Sequence, residues 1–526
     1  MNFKLISNKM LRNIYNDTAR GLINYSGVRR ISKRMTSTMI INVRPETDKV
    51  IKDISSYVAE TPIDSKLAFE TAKLCFLDTI GCGLAALKYE QARNIIKPII
   101  PGMVVPNGSR VIGTNYEMDP IRGAFAIGSI IRWLDYNDCW LAAEWGHPSD
   151  NLGGILAVAD HLTRLYKGTG GKEGEIFTVN NVLEYMIKAH EIQGIIALDN
   201  SFNSVGLDHV ILVKVATTAV VSKMLGLSKE QIKEAISHAF VDGQSLRTYR
   251  HSPNTGSRKS WAAGDAVSRA VNIAYLVKNA NIGNIPSVLT AKTWGFYDVL
   301  FDGKPFLFNQ RKTYGSYVME NILFKISFPA EFHAQTAVEA ALKGNQLLKN
   351  MNKTYKDIKK VTIRTQEAAM RIIDKQGPLY NYADRDHCIQ YMTAIPLIYG
   401  RLTADDYSDD VASNPAIDQL RSKIHCVENK TFTENYLHPE KRSIGNALTI
   451  ELNDGTVLDE IEVEYPVGHK RRRNEGIPLL MQKFERHLSE HFGDKPKLIE
   501  EILAISRDEK FFEMDIDVYI NQFIVD

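Results

Sequence analysis

The chain lacks any apolar run approaching the ~18–20 residues that cross a bilayer, so no membrane partner is expected of its 526 residues. Cysteine is scarce. Cys75, Cys82, Cys139, Cys388 and Cys426 are an odd, scattered set, which fits reduced thiols in an intracellular compartment. None of them forms a C-x-x-C pair, the spacing of zinc ribbons and most iron–sulfur sites, so no metal and no cofactor is expected. A phosphate loop is also missing. "GTGGKEGE" has no glycine five residues before Gly171, and Glu173 rather than Ser or Thr follows Lys172.

Acidic residues are scarce in one place only. The first forty residues hold Lys4, Lys9, Arg12, Arg20, Arg29, Arg30, Lys33 and Arg34 against the single acid Asp17. That local excess of +7 leaves −5 on the remainder of a chain whose net charge is +2. Interleaved with apolar and hydroxyl residues, the segment reads as a mitochondrial transit peptide, and the matrix is the expected location. A mildly acidic body argues against nucleic acid as the partner.

From Val43 to about Asn321 the apolar spacing is helical. "DSKLAFETAKLCFLDTIGCGLAALK" places Leu67, Leu74, Leu77 and Ile80 near one face. "LSKEQIKEAISHAF" opens on Ser228 with Gln231 three residues later, a capping-box spacing. After Lys325 the pattern is mixed: a helix in "EFHAQTAVEAALKGNQLL", alternation in "DIKKVTIRT", and a hairpin at Asn453-Asp454-Gly455. This predicts a small antiparallel sheet. From Pro466 onward the chain returns to helix and is expected to pack back on the first region. The basic run "HKRRR" at His469–Arg473 reads as a solvated face.

"WLDYNDCWLAAEWGHPSDN", Trp133 to Asn151, gathers three aspartates, a glutamate, a histidine and three of the chain's five tryptophans. A carboxylate such as Asp135 can fix the tautomer of His147, and tryptophans can exclude water and shift carboxyl pKa values. Gly146 and Pro148 suggest a turn that presents His147. Four carboxylates and one histidine would also suit a hard metal ion, and a satisfied polar loop is the plainest alternative.

"NDCWLAAEWGHPSDN" closely resembles a signature of the MmgE/PrpD family. So do "LDTIGCGLAAL", "AHEIQG", "LDHV", "SRKSWAAGDAVSRAV" and "FKISFPAEFHAQTAVEAA". The resemblance runs from about Val43 to the C-terminus. It implies a mainly α fold: a large all-helical domain (43–320, completed by 466–526) with an inserted, smaller α+β lid (321–465). It also implies a homodimer and a lyase for a tricarboxylate. The expected reaction is dehydration of 2-methylcitrate to 2-methyl-cis-aconitate in propionate catabolism, with citrate considered as a second substrate. By similarity to the family's cis-aconitate decarboxylase, Asp135, His147, His209, Lys259 and Lys325 are the expected catalytic residues. Asp138, Cys139, Arg258 and Tyr380 are expected to contact substrate. The histidines would be base and acid, and the lysines would hold carboxylates and a developing aci-carboxylate. Decarboxylation of cis-aconitate and non-catalytic tricarboxylate binding are the alternatives.

Overall fold

The computed structural model describes residues 42–243 and 245–525, and Pro45–Asp526 form one compact unit. The basic segment 1–40, expected to be a transit peptide, lies outside the described residues. The fold is mainly α.

The helices of the first core that position the site are α1 (Lys66–Ala86), α2 (Pro120–Arg132), α3 (Leu152–Gly168), α4 (Val179–Asp199), α5 (Val210–Met224), α6 (Lys229–Val241) and α7 (Arg258–Ala280). Their starts are chemically marked. Ser65 accepts from Ala68 N–H, and Asp119 caps α2 with Pro120 following it. Thr178 with Asn181 and Ser228 with Gln231 close capping boxes.

Glycines set how closely three of these helices cross. A Cβ on Gly153 would lie 2.7 Å from Gly128 Cα, and one on Gly128 would lie 3.0 Å from Gly264 Cα. Only bare backbone fits, so α2, α3 and α7 touch. The contact brings the C-terminal end of α2 beside the starts of α3 and α7.

A second core lies beyond residue 328. Helices α8 (Gln335–Asn350) and α9 (Ile389–Tyr399) pack with a four-stranded sheet: β1 (Ile358–Thr365), β2 (Ile424–Glu428), β3 (Asn446–Leu452) and β4 (Ile461–Val463). The order is β2-β1-β3-β4. The β1–β3 and β3–β4 pairs are antiparallel, with Val361 opposite Ile450 and Asn446 opposite Val463. The expected antiparallel sheet is corrected to a mixed one, because β2 runs parallel to β1, Val361 facing Ile424. The chain crosses over through α9 before β2, as a parallel pair requires. The region expected to be wholly helical also holds a two-residue antiparallel pair, Ser109–Arg110 with Glu117–Met118.

The C-terminal helices α10 (Arg473–Phe492), α11 (Pro496–Arg507) and α12 (Ile516–Asn521) join the first core, and Phe484 closes on Gly81 of α1. The run His469–Arg473 is not the solvated face that its charge suggests. His469 is buried, Arg472 bridges Glu339 and Glu475, and Arg473 donates to the Ile322 carbonyl.

Candidate active site

Four elements converge on one buried group of charges: the end of α2, the turn before α3, the start of α5 and the start of α7. Asp135 follows α2 with φ of 49°, a left-handed conformation costly for most residues that aspartate tolerates better. Its carboxylate pairs with Arg132, and Oδ1 accepts from Lys325 Nζ at 2.5 Å. Lys325 also donates to the Asp135 carbonyl at 2.8 Å. Burial opposes ionisation of Asp135, yet Arg132 and Lys325 outweigh it and hold the carboxyl well below its ordinary range.

His147 is not presented to solvent by its turn, as Gly146 and Pro148 suggest; it is 5% exposed. The following turn, Pro148–Asn151, is pinned by side chains that fold it inward. Asn137 donates to Asp150 and Ser149, and Asn151 donates to Gln193. His147 Nδ1 lies 2.6 Å from the Asp138 carbonyl. A carbonyl only accepts, so Nδ1 carries the proton and Nε2 faces Asp135 Oδ1 at 3.7 Å. His209 sits at the start of α5, its ring centroid 5.6 Å from that of His147. Neither of its ring nitrogens makes a hydrogen bond, although both are buried; Nδ1 stands 3.4 Å from Asp208 Oδ1. Burial, then the nearby cations, push both imidazoles well below their ordinary pKa.

Lys259, in the first turn of α7, donates to Asp386 at 2.7 and 2.5 Å, across 127 residues of sequence. His387 stands beside them, with Nδ1 2.8 Å from Asp386 Oδ1 and Nε2 3.9 Å from Asp135 Oδ2. Asp208 pairs with Arg250 and lies 3.7 Å from Arg247. Arg132, Arg247, Arg250, Lys259 and Lys325 thus surround Asp135, Asp208 and Asp386. Burial raises Asp150 and Glu144 to about 7, so both are partly neutral near neutrality. Arg132 lies 3.9 Å from Asp150 and Arg247 lies 3.9 Å from Glu144, so five cations face five carboxylates, and protonation of Asp150 or Glu144 frees a cation for an anionic guest.

Helix α10 braces this arrangement from behind. Lys483 pairs with Asp78 of α1 at 2.7 Å and donates to the carbonyls of Tyr136 (2.8 Å) and Lys325 (2.7 Å). One buried ammonium therefore fixes the backbone beside Asp135 and at Lys325. A cavity of about 510 Å³ adjoins the cluster, lined by Trp133, Ser257, Ser260, Tyr382 and Arg385, which flank its residues in sequence.

Asp135, His147, His209, Lys259 and Lys325 are therefore brought together, whereas the expected substrate contacts are placed elsewhere. Asp138 is turned away: its carboxylate meets His190 Nε2 at 2.9 Å, Cys75 Sγ at 3.6 Å and the Ser149 N–H at 3.1 Å. The Cys139 thiol lies in an apolar group with Leu141, Trp145, Leu323 and Phe332, where burial pushes it up. Arg258 is one residue from Lys259, about 100° around the helix, and pairs outward with Asp265 over the Trp261 ring. Tyr380 is 70% exposed; the tyrosine of its segment that packs inward is the half-buried Tyr382, against Tyr407.

Arg132, Asp208, Arg247, Arg250, Asp386 and His387 are the members that sequence reasoning missed. The adjacent Asp386-His387 in "YADRDHC" and the charge of Arg132 within "GSIIRWLD" were the available signals. Among the described residues, two groups bring three ligand-type atoms together, Cys75/Asp138/His190 and Asp135/Asp386/His387. In the second, Arg132, Lys325 and Lys259 already neutralise the carboxylates, which disfavours a cation there.

The model of the MmgE/PrpD N-terminal domain matches residues 52–309, and that of the C-terminal domain matches 328–508. The chain is 73% identical over 488 residues to a probable 2-methylcitrate dehydratase of Saccharomyces cerevisiae, covering 93% of this chain and 95% of the relative. The mitochondrial 2-methylcitrate dehydratase of Yarrowia lipolytica is 66% identical, covering 94% of each chain. The 2-methylcitrate dehydratase of Escherichia coli is 58% identical, covering 93% of this chain and all of its own length.

Proposed function

The chain belongs to the MmgE/PrpD family, and on that premise we propose that it dehydrates 2-methylcitrate to 2-methyl-cis-aconitate at the cluster around Asp135. The names and high identities of its relatives support the reaction. The observation that carries the site is His209. A buried imidazole that makes no hydrogen bond, with only the Asp208 carboxylate 3.4 Å from Nδ1, costs free energy, and here it faces His147 among paired cations, where a polyanion offers its Nε2 a partner.

The reaction removes a weakly acidic proton beside a carboxylate and protonates the departing hydroxyl. Lys259 and Lys325 hold substrate carboxylates and stabilise the aci-carboxylate as charge develops, an effect strengthened by the exclusion of water. His147 and His209 transfer protons, with Asp135 holding the lysine and one imidazole in place. No cofactor is invoked, because the side chains supply acid, base and cations.

The region 321–465 acts as the lid, a reading supported by its contribution of Lys325, Asp386 and His387 to the cluster. The protein works in mitochondria, in keeping with the name of the Yarrowia lipolytica relative and the basic N-terminal segment, and the family resemblance implies a homodimer. A reporter fused to residues 1–40 and light scattering of the purified chain check these two points.

A panel of 2-methylcitrate, citrate and cis-aconitate tests the activity. Ultraviolet absorbance of an unsaturated product should rise with 2-methylcitrate, and cis-aconitate should release no carbon dioxide. Carbon dioxide without dehydration would instead identify a decarboxylase, and binding without product would identify a non-catalytic protein.

A further inference from the structure

Three imidazoles stand in the cluster around Asp135, and they are not equivalent. His147 hands its inner nitrogen to a backbone carbonyl, and His209 makes no hydrogen bond, its Nδ1 standing 3.4 Å from Asp208 Oδ1. His387 alone of the three hydrogen-bonds its inner nitrogen to a carboxylate, Asp386 Oδ1, at 2.8 Å. The carboxylate accepts, so Nδ1 carries the proton and the Nε2 lone pair points outward. Nε2 lies 3.9 Å from Asp135 Oδ2, while His147 Nε2 lies 3.7 Å from Oδ1. Two imidazoles thus flank the two oxygens of one carboxylate. The His387 side chain also keeps 9% exposure, against 1–6% for Asp135, His147, His209, Lys259 and Lys325, so it is the most accessible of the six.

We propose that His387, oriented by Asp386, is a further catalytic residue: the general base that takes the proton from substrate carbon. This rests on the reading of the site as a 2-methylcitrate dehydratase centre. Nε2 bonds to the proton on the methyl-bearing carbon, and the C–H electron pair becomes the second bond of C=C. The bond from the neighbouring carbon to its hydroxyl then breaks. Burial and the nearby cations keep the free-site imidazoles neutral; the bound carboxylates offset those cations, so one imidazole on the His147/His209 side takes up a proton on binding. The hydroxyl oxygen takes that proton and leaves as water. The proton on His387 passes to solvent, solvent reprotonates the acid, and substrate has become alkene plus water.

Lys259 couples this step to binding. It shares Asp386 with His387 and lies 3.2 Å from His387 Nδ1. A substrate carboxylate that draws Lys259 away leaves Asp386 to His387 alone, and the base strengthens when substrate is present.

The test compares wild type, His387→Gln and Asp386→Asn on 2-methylcitrate, with the substrate also deuterated at the methyl-bearing carbon. His387→Gln should lower kcat by ~10²–10⁴ with KM within a few-fold, and the deuterium isotope effect on kcat should grow as C–H cleavage becomes limiting. Asp386→Asn offers His387 an amide donor, favours the wrong tautomer, and should lower kcat by ~10²-fold or more and move the acidic limb of the pH profile. A merely structural role would lower activity without changing the isotope effect or the limb. Either variant, folded and within threefold of wild-type kcat, overturns the assignment; if His387→Gln fails to fold, Asp386→Asn decides it. A wild type that does not turn over 2-methylcitrate refutes the function itself. A normal wild type with unaffected variants refutes only the role of His387.

Discussion

Replacing His147 with alanine should lower kcat on 2-methylcitrate by ~10²–10⁴ while the protein stays folded, and His209→Ala should do the same. Both side chains are buried beside Asp135, and neither ties an element to its neighbour through a side-chain bond that the fold depends on. His147 has one bond, to the Asp138 carbonyl, and His209 has none. Their loss removes proton-transfer groups more than packing, so kcat should fall and KM should change little. Circular dichroism and thermal melts establish folding, and steady-state kinetics reads the rest. Near-normal turnover by both variants would reduce Trp133–Asn151 to a well-packed polar loop.

Asp135→Asn should have the second large effect, on stability as well as rate. Asparagine keeps the shape and tolerates the positive φ, so the change isolates the charge. Arg132 and Lys325 would then face a neutral amide while buried, and breaking a buried pair from one side costs about 3–5 kcal/mol. Activity should fall with it, because Lys325 loses the partner that aims it. The pH dependence has a defined sign. The folded carboxyl titrates well below the ordinary 3.8, so its stabilisation is complete above that value and is lost as pH falls through the folded pKa. Denaturant titrations should therefore separate the two proteins fully at pH 7 and draw them together in acid. Equal stability at pH 7 would mean that the carboxylate is not the counter-charge of this cluster.

What could be read from the chain and what could not divide along one line. Local chemistry was legible. Ser228 and Gln231 marked a helix start, Asn453-Asp454-Gly455 marked a hairpin, and the density of Trp133–Asn151 marked the loop at the centre of the cluster. Charge pairing was not, because it depends on elements far apart. Lys325 reaches Asp135 across 190 residues, and Lys259 reaches Asp386 across 127. Nothing in "YADRDHC" states that its aspartate neutralises a lysine on another helix. The parallel strand Ile424–Glu428 was missed for a related reason. Five residues with one charged end carry little pattern, and their partner is fixed by a crossover. Arg258 and Tyr380 lie outside the cluster: Arg258 is one residue from Lys259 but pairs with Asp265, and Tyr380 is largely exposed.

The central claim is that a tricarboxylate occupies the buried space beside Asp135. The most direct measurement is a crystal structure with tricarballylate, a tricarboxylate that lacks the hydroxyl and cannot be dehydrated. The account predicts its carboxylates on Lys259 and Lys325, with its carbon chain between Asp135, His147, His209 and His387. Tricarballylate bound only in the neighbouring cavity at Ser257, Tyr382 and Arg385, with the Lys259–Asp386 and Lys325–Asp135 pairs intact, would contradict it.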